Sequence, residues 1–112
     1  MVSNAAAPAI DFIYEDDCPN VAAARANLQQ ALEFAGLPPR WSEHRIGTAG
    51  VPERARGFGS PTILVDGRDV GGAEPGAEQC CRLYGNGSGV PSVQSIVAAL
   101  EGKHGLRGRV PE

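Results

Sequence analysis

The sequence predicts a single α/β domain built on a mixed β-sheet, and three patterns carry this prediction. The chain opens with a strand, a helix and a second strand, an order that implies a right-handed crossover between parallel strands. A later apolar strand runs directly into Asp66 and Gly67, a strong signal for a hairpin turn and an antiparallel return strand. An amphipathic helix follows near the end. The predicted strands are 10–14, 41–46, 62–65 and 68–70, and the predicted helices are 21–35, 52–56 and 91–100.

The first strand and the first helix have the clearest patterns. In the strand, Ile10, Phe12 and Tyr14 alternate with the other residues and therefore share one face. The helix carries apolar residues three or four positions apart, which predicts one buried stripe. Asn20 suits the N-cap position, and Gly36 suits the helix end. The residues of the stripe are Val21, Ala24, Leu28, Leu32 and Ala35.

The later elements are shorter. Residues 41–46 alternate loosely, and 52–56 has a proline in its first turn and a glycine after its end, which is typical of a short helix. Residues 80–84 form a further strand candidate, so the sheet has four or five strands. In the last helix, Val93, Ile96, Val97 and Leu100 lie on one face. We expect helices on both faces of the sheet.

Composition excludes several classes of protein. The chain has 112 residues, 42% of them hydrophobic and 21% charged, with a net charge of −3, which suits one soluble domain and no polyanionic partner. No apolar stretch reaches the ~18 residues that a membrane span needs. The N-terminus has no signal-peptide pattern, so a cytoplasmic location is expected. We expect a domain over 9–102, flexible segments at 1–8 and 103–112, and a monomer or weak dimer.

Cys18 is the first candidate for chemistry. It lies between the first strand and the first helix, where a dithiol oxidoreductase carries C-x-x-C, but Val21 occupies the position of the second cysteine. Amide groups at a helix start favour a thiolate, whereas Glu15, Asp16 and Asp17 just upstream disfavour it. Water and salt screen exposed carboxylates. The sequence therefore predicts a modest net lowering of the Cys18 pKa.

These residues, with the element order, resemble the thioredoxin-like superfamily over roughly residues 9–101. The run from Gly59 through Ser60, Pro61 and Thr62 to Asp66 and Gly67, with Val70, Gly71 and Gly72 after it, is similar to the glutaredoxin pattern. The segments Cys18-Pro-Asn and Cys81-Arg-Leu-Tyr resemble small bacterial thioredoxin-like proteins of unassigned function, some of which are labelled alkylmercury lyase. The fold that this resemblance implies is a thioredoxin-like three-layer sandwich with a mixed four- or five-stranded sheet.

The resemblance also implies a site. Cys18 would be the nucleophile of thiol–disulfide exchange, and a cis Pro61 would face it. Substrate would lie along Ser60, Pro61 and Thr62. The backbone at Gly71 and Gly72 would approach a small carboxylate or glutathione. With Val21 in place of a resolving thiol, an external thiol such as glutathione would release the product. The partner would be a small thiol or a protein disulfide, and no other cofactor is expected.

Three alternatives stay open. Cys80 or Cys81 could serve as a distant second thiol if the D-G turn sets the hairpin and 80–84 lies elsewhere. Cys18 with one of them could bind a soft metal ion such as Hg(II) or Cu(I), or process an organomercurial, with Asp17 as the acid that protonates the carbon–mercury bond. The fold could also be a degenerate interaction module. No C-x-x-C or histidine pair predicts a structural zinc site, and His44 is expected to be an ordinary surface histidine.

Overall fold

The computed structural model of the chain describes residues 8–72 and 89–102. The predictions for 80–84, for the tail at 103–112 and for most of 1–8 therefore fall outside the described residues. The described chain contains four strands, two α-helices and one short 3-10 helix. These are β1 (Ile10–Tyr14), α1 (Val21–Phe34), β2 (Ser42–Arg45), the 3-10 helix (Glu53–Ala55), β3 (Thr62–Val65), β4 (Arg68–Asp69) and α2 (Val93–Gly102).

The sheet is mixed and has the order β2-β1-β3-β4. β1 and β2 are parallel, as the strand–helix–strand order predicts, and β1 is antiparallel to β3. The D-G hairpin is confirmed, because Leu64 pairs with Asp69 and Val65 pairs with Arg68. Asp66 and Gly67 have φ values of 52° and 84°, the positive values that a tight two-residue hairpin turn requires.

The main core lies between one face of the sheet and the two α-helices. Ile10, Phe12, Ile63 and Val65 point to this face and pack against buried residues of both helices. The predicted stripe of α1 is buried as far as Leu32, with Ala31 added to it. Ala35 is instead the C-cap of α1, and its N–H bonds to the carbonyl of Ala31.

The other face of the sheet is covered differently from what the sequence predicts. Both α-helices lie on the first face, so the second face has no α-helix within the described residues. It is covered by the connection from β2 to β3, which contains the 3-10 helix. Buried residues of this connection pack on the sheet, and the resulting second core consists of Ile13, Val51, Ala55, Phe58 and Leu64. Neither α-helix in the described part of the chain has the length and apolar character that a membrane crossing requires.

Candidate functional site

Cys18 lies where the sequence places it, between the end of β1 and the start of α1. Its backbone closes a turn, because the N–H of Cys18 donates to the carbonyl of Glu15 and its own carbonyl accepts from the N–H of Val21. The side chain points inward and is buried. The sulfur donates to the carbonyl oxygen of Ser60 at 3.9 Å. The structure therefore brings Cys18 and the start of β3 into direct contact.

The Ser60 segment is held in place by hydrogen bonds around this contact. The Ser60–Pro61 peptide bond is cis, as the resemblance implies. The hydroxyl of Ser60 accepts a 2.9 Å hydrogen bond from the N–H of Glu15. The hydroxyl of Thr62 donates to the carbonyl of Gly59 at 2.6 Å. Cys18 therefore contacts the Ser60–Pro61–Thr62 segment through Ser60, and these four residues make up the candidate group.

This group is more deeply buried than the sequence predicts. Ser60 and Thr62 have 0% exposed surface, and Cys18 has 6%. A substrate that pairs with the backbone of Ser60 would need this segment to be uncovered. Burial and a neighbouring carbonyl acceptor both favour the protonated thiol, because a thiolate loses solvation there and cannot donate a hydrogen bond. The sequence analysis considered only the helix start and the acidic residues, so it missed these two opposing factors.

The acidic residues before Cys18 differ in their surroundings. Asp16 and Asp17 are exposed and Glu15 is half-buried. The carboxylate of Asp16 accepts a 2.7 Å hydrogen bond from Arg45, and both side chains are more than half exposed. Asp16 is therefore neutralised locally by a cation from β2, which the sequence analysis did not foresee.

Gly71 and Gly72 do not present amide groups to a ligand in this structure. The N–H of Gly71 donates to the carboxylate of Asp69 at 2.8 Å. The N–H of Gly72 donates to the carbonyl of Asp69 at 2.9 Å. Both amide hydrogens are therefore used within the chain, and the carboxylate of Asp69 beside them would repel a ligand carboxylate. This geometry counts against the predicted role of the two glycines in substrate binding.

A buried polar cluster lies on the second face of the sheet, and sequence reasoning missed it. Asp11 of β1 is 1% exposed. Arg54 of the 3-10 helix donates to both of its carboxylate oxygens, at 3.0 and 2.9 Å. His44 of β2 places its Nε2 atom 2.8 Å from one of the same oxygens. The prediction that His44 is an ordinary surface histidine is therefore wrong.

The charge of Asp11 is stabilised by its two partners. Burial raises the pKa of Asp11, but the hydrogen bonds from Arg54 and His44 outweigh burial and hold the pKa below its usual value. A signal for this cluster was present in the sequence. Because the first strand has apolar residues on both faces, Asp11 shares a buried face with Ile13 and needs a partner there. The identity of that partner depends on chain packing and has no local signal.

A second polar cluster lies at the β2 end of the first face. Arg25 of α1 makes two hydrogen bonds to the carboxylate of Glu43, at 2.7 and 2.8 Å, and Trp41 donates to the same group at 2.9 Å. The hydrogen bond from Arg25 lowers the pKa of Glu43 against the effect of burial, and Trp41 adds to the lowering. The guanidinium of Arg25 also lies about 5 Å from the ring centres of Phe12 and Tyr14. This cluster ties α1 to the edge strand.

The other predicted cysteine chemistry involves Cys80 and Cys81, which lie outside the described residues. The predicted link to Cys18 and the predicted two-thiolate metal site therefore stay predictions. Across residues 8–72 and 89–102, no three His, Cys, Asp or Glu side chains gather as a metal site would require.

Comparison with known proteins gives no relative from which a function could be transferred. No protein-family model matches the chain. No curated protein and no solved structure matches it either.

Proposed function

We propose that this chain is a thioredoxin-like, thiol-dependent redox protein in which Cys18 is the nucleophile that attacks the substrate disulfide. The observation that carries the proposal is the contact between the Cys18 sulfur and the carbonyl of Ser60. A cysteine between β1 and α1 that faces the start of the antiparallel strand β3 is the arrangement that the resemblance implies. The element order and the mixed sheet also agree with it.

The chemistry requires two exchange steps. The Cys18 thiolate attacks one sulfur of a disulfide, a new S–S bond forms, and the other half of the disulfide leaves as a thiolate. The thiolate of an external thiol then attacks the mixed disulfide, takes up the bound half as a new disulfide, and returns Cys18 as a thiolate. A second molecule of the external thiol then attacks this new disulfide and releases the bound half as a thiolate, so two external thiols are oxidised to one disulfide while the substrate disulfide gains two electrons. Glutathione is the candidate external thiol, and the reducing cytoplasm is the compartment in which it is abundant.

The helix start suits such a site, whereas burial and the carbonyl of Ser60 oppose it. Pro19 and Asn20 separate Cys18 from the first residue of α1, so the positive end of the helix dipole lies near the sulfur and favours a thiolate. The burial of Cys18 means that reaction with a disulfide depends on local opening around Ser60. A functional thiol and a structural thiol therefore differ in one measurable property, which is reactivity in the folded state.

The test is the formation of a mixed disulfide on the folded protein. A variant with Cys80→Ser and Cys81→Ser is incubated with the uncharged disulfide of 2-mercaptoethanol, and the intact mass is followed with time. We expect an adduct on Cys18 that glutathione then removes. The matched control adds Cys18→Ser to the same background and should form no adduct. The original chain, with all three cysteines, shows whether Cys80 or Cys81 replaces glutathione in the second step.

The same reaction in urea gives the reference rate for an accessible cysteine. If Cys18 of the folded protein forms an adduct only as fast as global unfolding exposes it, Cys18 is a buried structural residue and the redox function is wrong. Retention of Hg(II) or Cu(I) by the chain against excess glutathione would then favour the metal-binding alternative. That result would require Cys80 or Cys81, because the described residues offer no other thiol.

A further inference from the structure

The segment that carries Ser60 is fastened to β1 at two points. At its start, Arg54 donates to both carboxylate oxygens of Asp11. At its end, the hydroxyl of Ser60 accepts from the N–H of Glu15. Asp11 lies within β1, and Glu15 follows the last residue of β1, four positions further along the chain. Residues 54–60 therefore run along β1 from one attachment to the other. Cys18 contacts this segment at its second attachment.

The first attachment places an ion pair beside the second apolar core. Between the two points, Ala55 and Phe58 are buried in the second core with Ile13 and Leu64. Apolar residues in place of a buried ion pair are often neutral or stabilising, because the ions lose their hydration. A forked guanidinium–carboxylate pair, by contrast, allows one alignment of the two groups. The pair therefore fixes the position of the segment along β1 in a way that apolar packing does not.

His44 reinforces this alignment from the other side. Its Nε2 atom lies 2.8 Å from the Asp11 oxygen that also accepts from Nη2 of Arg54. The carboxylate is therefore held between the edge strand β2 and the 3-10 helix. Its partners are Arg54 and His44, and the strand neighbour of Asp11 on β3 is the apolar Leu64.

We propose that the Asp11–Arg54 ion pair is a positioning device that holds the Ser60 carbonyl against the sulfur of Cys18. Asp11 and Arg54 are positioning residues, since they act on the thiol only through the segment that ends at Ser60. The biological meaning of this device rests on the proposed function, in which Cys18 reacts. Without the first attachment, the segment keeps its apolar contacts and the bond to Glu15, and the Ser60 carbonyl moves away from the sulfur.

The test is the pH profile of Cys18 alkylation by iodoacetamide, read by mass spectrometry on folded protein. Loss of the carbonyl acceptor removes a contact that favours the protonated thiol. Arg54→Met should therefore lower the midpoint of the profile by about half a pH unit, which corresponds to roughly threefold more thiolate at a fixed pH below it. Arg54→Lys keeps the charge and should restore part of the shift. Asp11→Asn is a second route to the same loss and should shift the midpoint in the same direction.

Two controls separate positioning from loss of stability. Gly67→Ala strains the turn between β3 and β4, which contains neither Cys18 nor Arg54, and should leave the midpoint unchanged. Arg45→Met removes an exposed cation that pairs with Asp16 and should not reproduce the direction of the Arg54→Met shift. Without Arg45, the charge of Asp16 is no longer paired with a cation. This negative charge disfavours the nearby Cys18 thiolate, so the midpoint should rise.

The proposal is overturned if Arg54→Met lowers the free energy of unfolding and leaves the Cys18 midpoint where it was. It is also overturned if Cys18 is alkylated only through global unfolding in both the original chain and the variant. A midpoint that shifts in a protein that forms no mixed disulfide would contradict the proposed function and leave the positioning role intact. Reaction of Cys18 only through global unfolding would overturn both proposals, whereas an unchanged midpoint in a protein that forms the mixed disulfide overturns the positioning role alone.

Discussion

Asp11 shows how one buried carboxylate can be stable inside an apolar sheet face. Both of its oxygens receive hydrogen bonds from the Arg54 guanidinium, and one of them also lies within hydrogen-bond distance of the His44 imidazole. These two partners offset the cost of burying the carboxylate. Arg54 itself is about half exposed, with 54% of its side chain accessible, so it would regain water if the pair broke. The larger cost of breaking the pair therefore falls on Asp11.

Asp11→Asn should destabilise the protein by about 2 kcal/mol at pH 7, since it removes charge-assisted hydrogen bonds at a buried position. The measurement is urea unfolding followed by circular dichroism. Asp16→Asn is the matched control, because Asp16 also pairs with an arginine but is exposed. Exposed ion pairs contribute little, so this control should be nearly neutral. Equal losses in the two variants would show that burial of Asp11 does not matter to stability.

At the level of single residues, the sequence predicted the placement of residues whose surroundings are formed by their neighbours in the sequence. Cys18 before a helix and Pro61 before a strand are features that local patterns reveal. The contact between Cys18 and the Ser60 carbonyl, 42 positions apart, depends on strand pairing, and the resemblance implied only that Pro61 would face Cys18. The partner of Asp11 depends on how a loop packs 43 positions away, and no local pattern carries that information.

The hairpin from β3 to β4 is the element whose backbone most restricts the sequence. Gly67 has a φ of 84°, and a Cβ atom added there would meet nothing within 4 Å. A substitution at Gly67 is therefore limited by backbone strain alone. Gly50 provides the contrast, since a Cβ atom added there would also meet nothing within 4 Å, but its φ is not positive.

Gly67→Ala should destabilise the protein by about 1 kcal/mol, because an L-residue in the left-handed region meets its own carbonyl. Gly50→Ala should be neutral or stabilise by up to about 1 kcal/mol, since alanine reduces the freedom of the unfolded chain. Both free energies are measured by urea unfolding under one condition. If both substitutions have the same effect, the turn does not hold the conformation described for it.

Among the elements, the strength of the sequence pattern decided which boundaries were predicted well. β1 and β3 have the predicted limits, because strict alternation or a short apolar run between breakers defines a strand. The predicted helix at 52–56 is only a 3-10 turn of three residues. Its sequence has too few residues between Pro52 and Gly57 for an α-helix to gain from cooperative hydrogen bonding.

For the molecule as a whole, the sequence predicted the mixed sheet, the parallel pair of β1 and β2 and the antiparallel pair of β3 and β4, but not that β3 runs antiparallel to β1. Connection length and turn chemistry determine the directions within the two predicted pairs, and both can be seen in the sequence. The coverage of the second face was not predicted, since a loop with three buried apolar residues has no periodic pattern. The Asp11 cluster lies on that face. Because the covering segment was not predicted, the ion pair between Asp11 and Arg54 that attaches it to β1 was not predicted either.

The stability of the whole domain should depend on pH through its paired carboxylates. Asp11 and Glu43 both have a pKa held below the usual value by arginine partners. A carboxyl group with a lowered pKa in the folded state binds fewer protons there than in the unfolded chain. Its contribution is therefore complete above the unfolded pKa values, roughly 4 for both residue types, and is lost as the pH falls through the lower folded values.

We therefore expect the free energy of unfolding to be level from pH 7 to about pH 5 and to fall below that, as each paired carboxylate takes up a proton. Asp11→Asn should show a shallower fall, because residue 11 no longer titrates, and its difference from the original chain should shrink between pH 5 and pH 3. The measurement is urea unfolding at a series of pH values in constant salt. A difference between the two proteins that stays constant down to pH 3 would mean that Asp11 keeps no lowered pKa in the folded domain, and that Arg54 does not hold its charge.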